Sequence, residues 1–471
     1  MARRLRIPYT VALVLAGLLV GGLHLFEPPH LTQELLFAVF LPGLVFEAAF
    51  HLDFRVLTAN RWTISSLAIP GVVLAIGLTA IIMVPVAAAL DLEDALTWRH
   101  ALVFGAMIAA TDPIAVVGLF RALGAPKRLA AIVEGESLLN DGTAIVFFGM
   151  ILAFVGGAEL TVAGAVAEFG RVVGIGALVG GGLGIAASKV TQQLEDPMIE
   201  ITLTTIAGYG AFAFAEQLHG SGVIATVVAA LLCGNFGART GMSPSTKIAV
   251  TSFWEYVAFA LNSLVFLLMG FEVQLDDLLR SWPVILAAFG AVVLGRTVVV
   301  YTVSTLLRGT SERLPPTWAA VITWGGLRGS LSMVLALSLP QSFPNRALLV
   351  TTTFGVVLVS LLFQGLSMAP LLRRLGLAAA RSNKGPYEVA RARIKAASGA
   401  LAELEVMERR DGIPDRLLST LKGDYETRIA ADRARVQELH LEQAEIRHEE
   451  ELQTRRHLLM VEKEQVMDSM R

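Results

Sequence analysis

Residues 134–143 read Glu134-Gly135-Glu136-Ser137-Leu138-Leu139-Asn140-Asp141-Gly142-Thr143 and lie inside an apolar stretch that runs from 127 to 155. A bilayer core of about 30 Å needs roughly 20 apolar residues in a helix, so this stretch is long enough to span it. Asp141 falls at its midpoint. An ionisable side chain at that depth is costly and marks function more often than packing. Ser137 and Asp141 are four residues apart and share one helix face, while Glu136 and Asn140 share the adjacent face. One stripe could hold a cation through a carboxylate and a hydroxyl. The other could pair with an arginine.

Working outward, three more charges fall near the centres of their own apolar stretches: Asp112 in 100–120, Arg296 in 283–307 and Arg328 in 314–339. Two of these stretches are interrupted beside the charge. Thr111-Asp112-Pro113 breaks one, because proline lacks an amide donor and restricts the residue before it. Trp324-Gly325-Gly326-Leu327-Arg328-Gly329-Ser330 breaks the other. Such breaks free backbone carbonyls and half-helix ends, which lipid does not tolerate beside hydrocarbon. Two interrupted helices far apart in the chain, each with a charge, are the pattern of a secondary transporter with inverted repeats. Paired ions that only pin helices together are the bland alternative. Glu47, in Leu41-Pro42-Gly43-Leu44-Val45-Phe46-Glu47, either lines the inner approach to such a site or snorkels to the interface.

The rest of the chain agrees with a membrane body. Of its 471 residues, 54% are hydrophobic and 17% charged, against about 25% charged in a soluble domain. Charge is uneven: 33 of 87 positions in 385–471 are charged, against 45 of 384 before it. Twelve spans are expected, at about 8–26, 32–50, 63–90, 100–120, 127–155, 172–188, 198–217, 221–237, 250–271, 283–307, 314–339 and 347–372. Arg3, Arg4 and Arg6 precede the first, which reads as a membrane helix and not a signal peptide, because further apolar segments follow at once. With the N-terminus inside, inner segments carry seventeen Lys and Arg against three outside, or four with Arg171. That bias orients both termini to the cytoplasm. The expected domains are a transmembrane body, 1–376, and a helical cytoplasmic tail, 377–471, broken at Gly412-Ile413-Pro414.

Several classes drop out. One cysteine, Cys233, excludes a disulfide scaffold or multi-cysteine metal centre. A net charge of −2 supplies no reason to bind nucleic acid, and no GxxxxGK[ST] loop is present to bind nucleotide. No resident cofactor is expected. Gly180, Gly181, Gly182 and Gly184 read as close helix packing. His219-Gly220-Ser221-Gly222 falls at a short turn and is a poor nucleophile candidate. His24, His30, His51 and His100 lie near span ends and read as interfacial, as do Trp62, Trp98, Trp282 and Trp318. Glu200 and Glu216, near the two ends of their span, are expected to be wet.

Ala110-Thr111-Asp112-Pro113, the Glu134–Gly142 run, Phe46-Glu47 and Gly326-Leu327-Arg328-Gly329 together resemble the electroneutral branch of the monovalent cation/proton antiporters, the sodium/proton exchangers. The likeness covers residues 1 to about 375. It implies an all-α polytopic fold of inverted repeats, with two broken helices crossing at mid-membrane. It implies that Asp141 binds sodium or a proton in turn. Asp112, Thr111 through its backbone or hydroxyl, and Ser137 would complete the cation site, with Glu47 nearby. Glu136 would pair with Arg328, held by Asn140, with Arg296 and Pro113 in support. The Asn140-Asp141 pair implies one-for-one exchange, and the family implies a homodimer in the cell membrane. Related exchangers commonly have thirteen spans; a count of twelve implies that the first family helix is absent, which places the two breaks in symmetry-related spans.

The physical logic is competition. A desolvated aspartate prefers to be neutral and can take either a proton or a cation. If both use one carboxylate they exclude each other, and alternating exposure couples opposite flows. Oxygen ligands suit a hard ion such as sodium or lithium, with potassium the alternative. An ion channel, or an intramembrane protease using Asp112 and Asp141 as an acid/base pair, remain as other classes. A channel would need an open polar path, and the paired broken helices favour alternation over a pore; the protease gives Ser137, Asn140 and the arginines no evident task.

Overall fold

The computed structural model describes residues 9–22, 35–91, 96–159, 161–193, 196–238, 241–272, 275–378, 384–411 and 415–442. Arg3, Arg4, Arg6, His24, His30, Arg239 and the Gly412–Pro414 break lie outside them. The described residues are helical and contain no strand. The chain divides into two compact units, residues 1–378 and 379–471.

The first unit contains α1 (Tyr9–Gly22), α2 (Leu41–His51), α3 (Phe54–Ala59), α4 (Arg61–Ala68), α5 (Pro70–Ala89), α6 (Trp98–Met107), α7 (Ile114–Leu123), α8 (Lys127–Val155) and α9 (Val162–Thr191). It continues with α10 (Pro197–Gln217), α11 (Gly222–Leu232), α12 (Pro244–Glu272), α13 (Leu275–Arg280), α14 (Trp282–Leu306), α15 (Pro316–Trp324), α16 (Ser330–Leu337), α17 (Arg346–Val359) and α18 (Gly365–Arg374). Among the described residues, seven segments are long and apolar enough to cross a membrane: Arg61–Ala89, Lys127–Val155, Val162–Thr191, Pro197–Gln217, Pro244–Leu268, Trp282–Gly309 and Arg346–Arg374. The other apolar helices are shorter, and two pairs are halves of interrupted helices: α6 with α7, and α15 with α16.

The helices pack in two groups. In one, α1 lies on α12, α9 and α10 on α11, and α2 on α11 and α12. In the other, α5 lies along α14, α6 packs on α5 and α8, α8 on α4, and α14 on α15 and α17. The groups touch where α8 meets α2 and α11, and where α12 meets α16. Small residues permit the closest approaches within the first group. Gly176, Gly180 and Gly184, four apart on one face of α9, press on Ser221, just before α11, and on Ala225 and Ala229 within it, again four apart. Gly181 and Gly182 do not share that role; nothing lies within 4 Å of where their Cβ would be. Ser221 is the N-cap of α11, accepting the Ile224 amide at 3.2 Å.

Glu200 departs from expectation. It sits on the buried stripe of α10 with Thr204, Ala207, Gly208 and Ala211, and its carboxylate is buried with no hydrogen-bond partner among the described residues. Helical phase turned it inward, which its position near a span end could not reveal. At the start of α4, Glu312 accepts the amides of Trp62 at 3.3 Å and Thr63 at 2.8 Å, so a side chain some 250 positions away satisfies helix-end donors.

The second unit contains α19 (Lys384–Asp411) and α20 (Asp415–Glu442), which pack against each other.

Candidate ion site

The break between α6 and α7 frees carbonyls that a continuous helix would use, and those of Ala109, Ala110 and Thr111 acquire side-chain donors. Ala109 and Ala110 accept from one guanidinium nitrogen of Arg328 at 2.8 and 3.1 Å. The Asn140 amide also reaches the Ala109 carbonyl at 3.3 Å. The Thr111 carbonyl accepts the Ser137 hydroxyl at 2.5 Å. The Asp112 carboxylate, one residue before the N-cap Pro113, accepts the first amide of α7, that of Ile114, at 3.0 Å.

The second break crosses the first. The Asp112 amide donates to the Leu327 carbonyl at 2.8 Å. Two glycines of the Gly325–Gly329 stretch explain how the chains come this close. A Cβ on Gly329 would collide with the Asp112 side chain, and one on Gly326 would collide with the Arg296 guanidinium. These positions need glycine because another side chain already occupies the space a Cβ would fill.

Arg296 takes the freed Ile322 carbonyl with Nε at 3.2 Å and a terminal nitrogen at 3.1 Å. The same guanidinium forks onto Glu136 at 3.1 and 2.9 Å, and both residues are buried. This differs from the Glu136–Arg328 pair that the resemblance implied. Glu136 pairs with Arg296, and Arg328 serves the backbone of the α6 break. The physical reason is the planar fork: Arg296 meets a carboxylate edge and a carbonyl at once, while Arg328 is drawn to the two carbonyls that Pro113 and the break leave open. Asn140 bridges the two systems, reaching Glu136, Thr111 Oγ1 and the Ala109 carbonyl, each at 3.3 Å.

In front of this polar frame lies a cavity of about 340 Å³. Thr111, Asp112, Pro113, Ser137 and Asp141 line it from one helix group, and Glu47, His51 and Asn262 from the other. Asp141 Oδ1 has no hydrogen-bond partner among the described residues. Glu136, Asn140, Arg296 and Arg328 are not part of the lining; they hold the frame. Glu47 is partly buried beside His51, whose Nδ1 is 3.3 Å from its carboxylate, and Arg121 pairs with Glu134 at 3.0 Å. The structure thus gathers every expected site residue around one cavity and its supporting frame. It adds His51, Arg121 and Asn262. The visible signal for Asn262 was a lone amide within the apolar run 250–271.

A helical bundle whose two interrupted helices cross beside unpaired carboxylate oxygen and a small polar cavity belongs to the class of secondary ion carriers. The chain is a member of the sodium/hydrogen exchanger family, whose transmembrane model matches residues 1–374. It is 38% identical over 421 residues to the Na(+)/H(+) antiporter ApNhaP of Aphanothece halophytica, covering 88% of this chain and 79% of the relative. It is 40% identical over 358 residues to the Na(+)/H(+) antiporter NhaP of Pseudomonas aeruginosa, covering 73% and 81%. The structure of the sodium proton antiporter MjNhaP1 from Methanocaldococcus jannaschii shares the fold, with a TM-score of 0.65 at 19% identity over 80% of this chain and 94% of that one. Family membership makes the chain a multi-pass membrane transporter, not a protease or other enzyme.

Proposed function

We propose that this chain exchanges sodium for protons, one for one, through competition of the two ions for Asp141. The observation that carries the reading is the unpartnered Asp141 oxygen at a cavity that Ser137, Thr111 and Asp112 also line. A bare carboxylate away from bulk water is costly, and either a proton or a small cation relieves the cost. Ser137 is engaged with the Thr111 carbonyl, so the hydroxyl, that carbonyl and two carboxylates are within one polar surface. All are oxygen ligands, which suit sodium or lithium; potassium is the alternative cargo. The cavity lies where the two helix groups meet, so movement of one group against the other would expose it to each side in turn. Glu47 stands at the same cavity as a further acidic group for an approaching cation.

Exchange without net charge follows from one carboxylate serving both ions, with Glu136 already neutralised by Arg296. The seventeen-to-three loop bias supports a cell-membrane carrier with cytoplasmic termini. In that place it would serve pH and sodium homeostasis, as a homodimer by family likeness.

The test is sodium-induced proton movement in inside-out vesicles containing a pH dye, with lithium and potassium compared. Asp141→Asn should abolish the signal while protein stays in the membrane. Full activity in that variant refutes the role of Asp141. A rate that depends strongly on membrane potential refutes one-for-one stoichiometry.

A further inference from the structure

Asn262 lies on α12, in the helix group facing the one that carries Asp112, Ser137 and Asp141. It is 3% exposed, its Oδ1 has no hydrogen-bond partner among the described residues, and its side chain lines the cavity. Buried amides are almost always satisfied, so an orphan of this kind calls for a ligand that the bare protein does not supply. The Asp141 oxygen is a second orphan at the same cavity. The two come from opposite walls. Beside it in sequence stand Leu261, Ser263, whose hydroxyl is turned to the Phe259 carbonyl at 2.7 Å, and Leu264, and Val265 flanks it at the cavity.

We infer that Asn262 is a cation-selectivity residue, whose amide oxygen contacts the transported cation, directly or through one bound water, from the wall opposite Asp141. The inference rests on the exchange reading above and adds a ligand that belongs to the other helix group. Its consequence is directional. When the groups shift, Thr111, Asp112, Ser137 and Asp141 move together, but Asn262 does not travel with them. A ligand of this kind is present in one exposure state and withdrawn in the other, so it makes cation affinity different on the two faces. A neutral oxygen also discriminates among cations by reach, without altering charge balance or the proton's access to Asp141.

The experiment measures exchange in proteoliposomes with sodium, lithium and potassium for wild type, Asn262→Ala, Asn262→Leu, which keeps the volume without the oxygen, and Asn262→Ser. Loss of one oxygen contact to a charged group predicts a rise of about tenfold in apparent KM for sodium. The maximal rate should be largely retained, the sodium-to-lithium ratio should change, and Ser should recover part of the affinity. Unchanged KM and cation ratio in both Ala and Leu variants overturns the inference. So does a fall in maximal rate alone, which marks Asn262 as a packing residue. Absence of sodium-driven exchange in the wild type would instead defeat the exchange reading itself, so the two failures are distinct.

Discussion

Removing the Arg296 guanidinium should be among the most damaging changes in the polar frame. In Arg296→Met, the buried Glu136 carboxylate loses both forked bonds, at 3.1 and 2.9 Å, and the Ile322 carbonyl loses its two donors. Breaking a buried pair from one side leaves an uncompensated charge, at a cost of about 3–5 kcal/mol. Glu136→Gln in the same background removes that charge and should recover part of the loss. The double-mutant cycle on unfolding midpoints in detergent should therefore show a coupling between positions 136 and 296 of about 1–3 kcal/mol. The matching cycle with Arg328→Met should give a smaller coupling, because Arg328 bonds to the Ala109 and Ala110 carbonyls and not to Glu136. Apparent sodium KM should move less than stability in the Arg296 variant, since neither Arg296 nor Glu136 lines the cavity. A larger coupling for 136 with 328 than for 136 with 296 would refute the assignment of the pair.

Two further outcomes are expected. Gly329→Ala places a methyl group where the Asp112 side chain lies, so the crossing of the two breaks should open and sodium–proton exchange in vesicles should fall at least tenfold; Gly290→Ala, with nothing within 4 Å of its Cβ, should exchange like wild type. Glu312→Ala strips the acceptors from the Trp62 and Thr63 amides and should lower stability by about 1–2 kcal/mol, read as a lower unfolding midpoint with sodium KM unchanged.

Much of the site was legible in the residues because its local logic repeats along one helix. Asp141 and Ser137 share a face by spacing alone, and Pro113 announces a break because it has no amide to donate. The Gly325–Gly329 stretch announces the other. Which arginine meets Glu136 was not legible. Arg296 and Arg328 both lie mid-span with the same charge, and only the crossing of the breaks decides that one faces a carboxylate and the other faces carbonyls. Asn262 was visible as a lone amide, yet nothing local distinguishes an amide facing a cavity from one facing a neighbouring helix. Glu200 shows the same limit from the other side, since the end of a helix is wet or dry according to what packs beside it.

From the chain alone come the helical membrane body, the loop-charge orientation, the two interruptions and the carboxylate at their level, because hydrophobic length, proline chemistry and helical period act over a few residues. The meeting of Asp112 with Leu327, the fork of Arg296 on Glu136 and the wall that carries Asn262 belong to tertiary structure. Those contacts join positions more than 100 residues apart, and they depend on which helix faces approach within a few ångströms, a geometry set by the packing of the whole bundle.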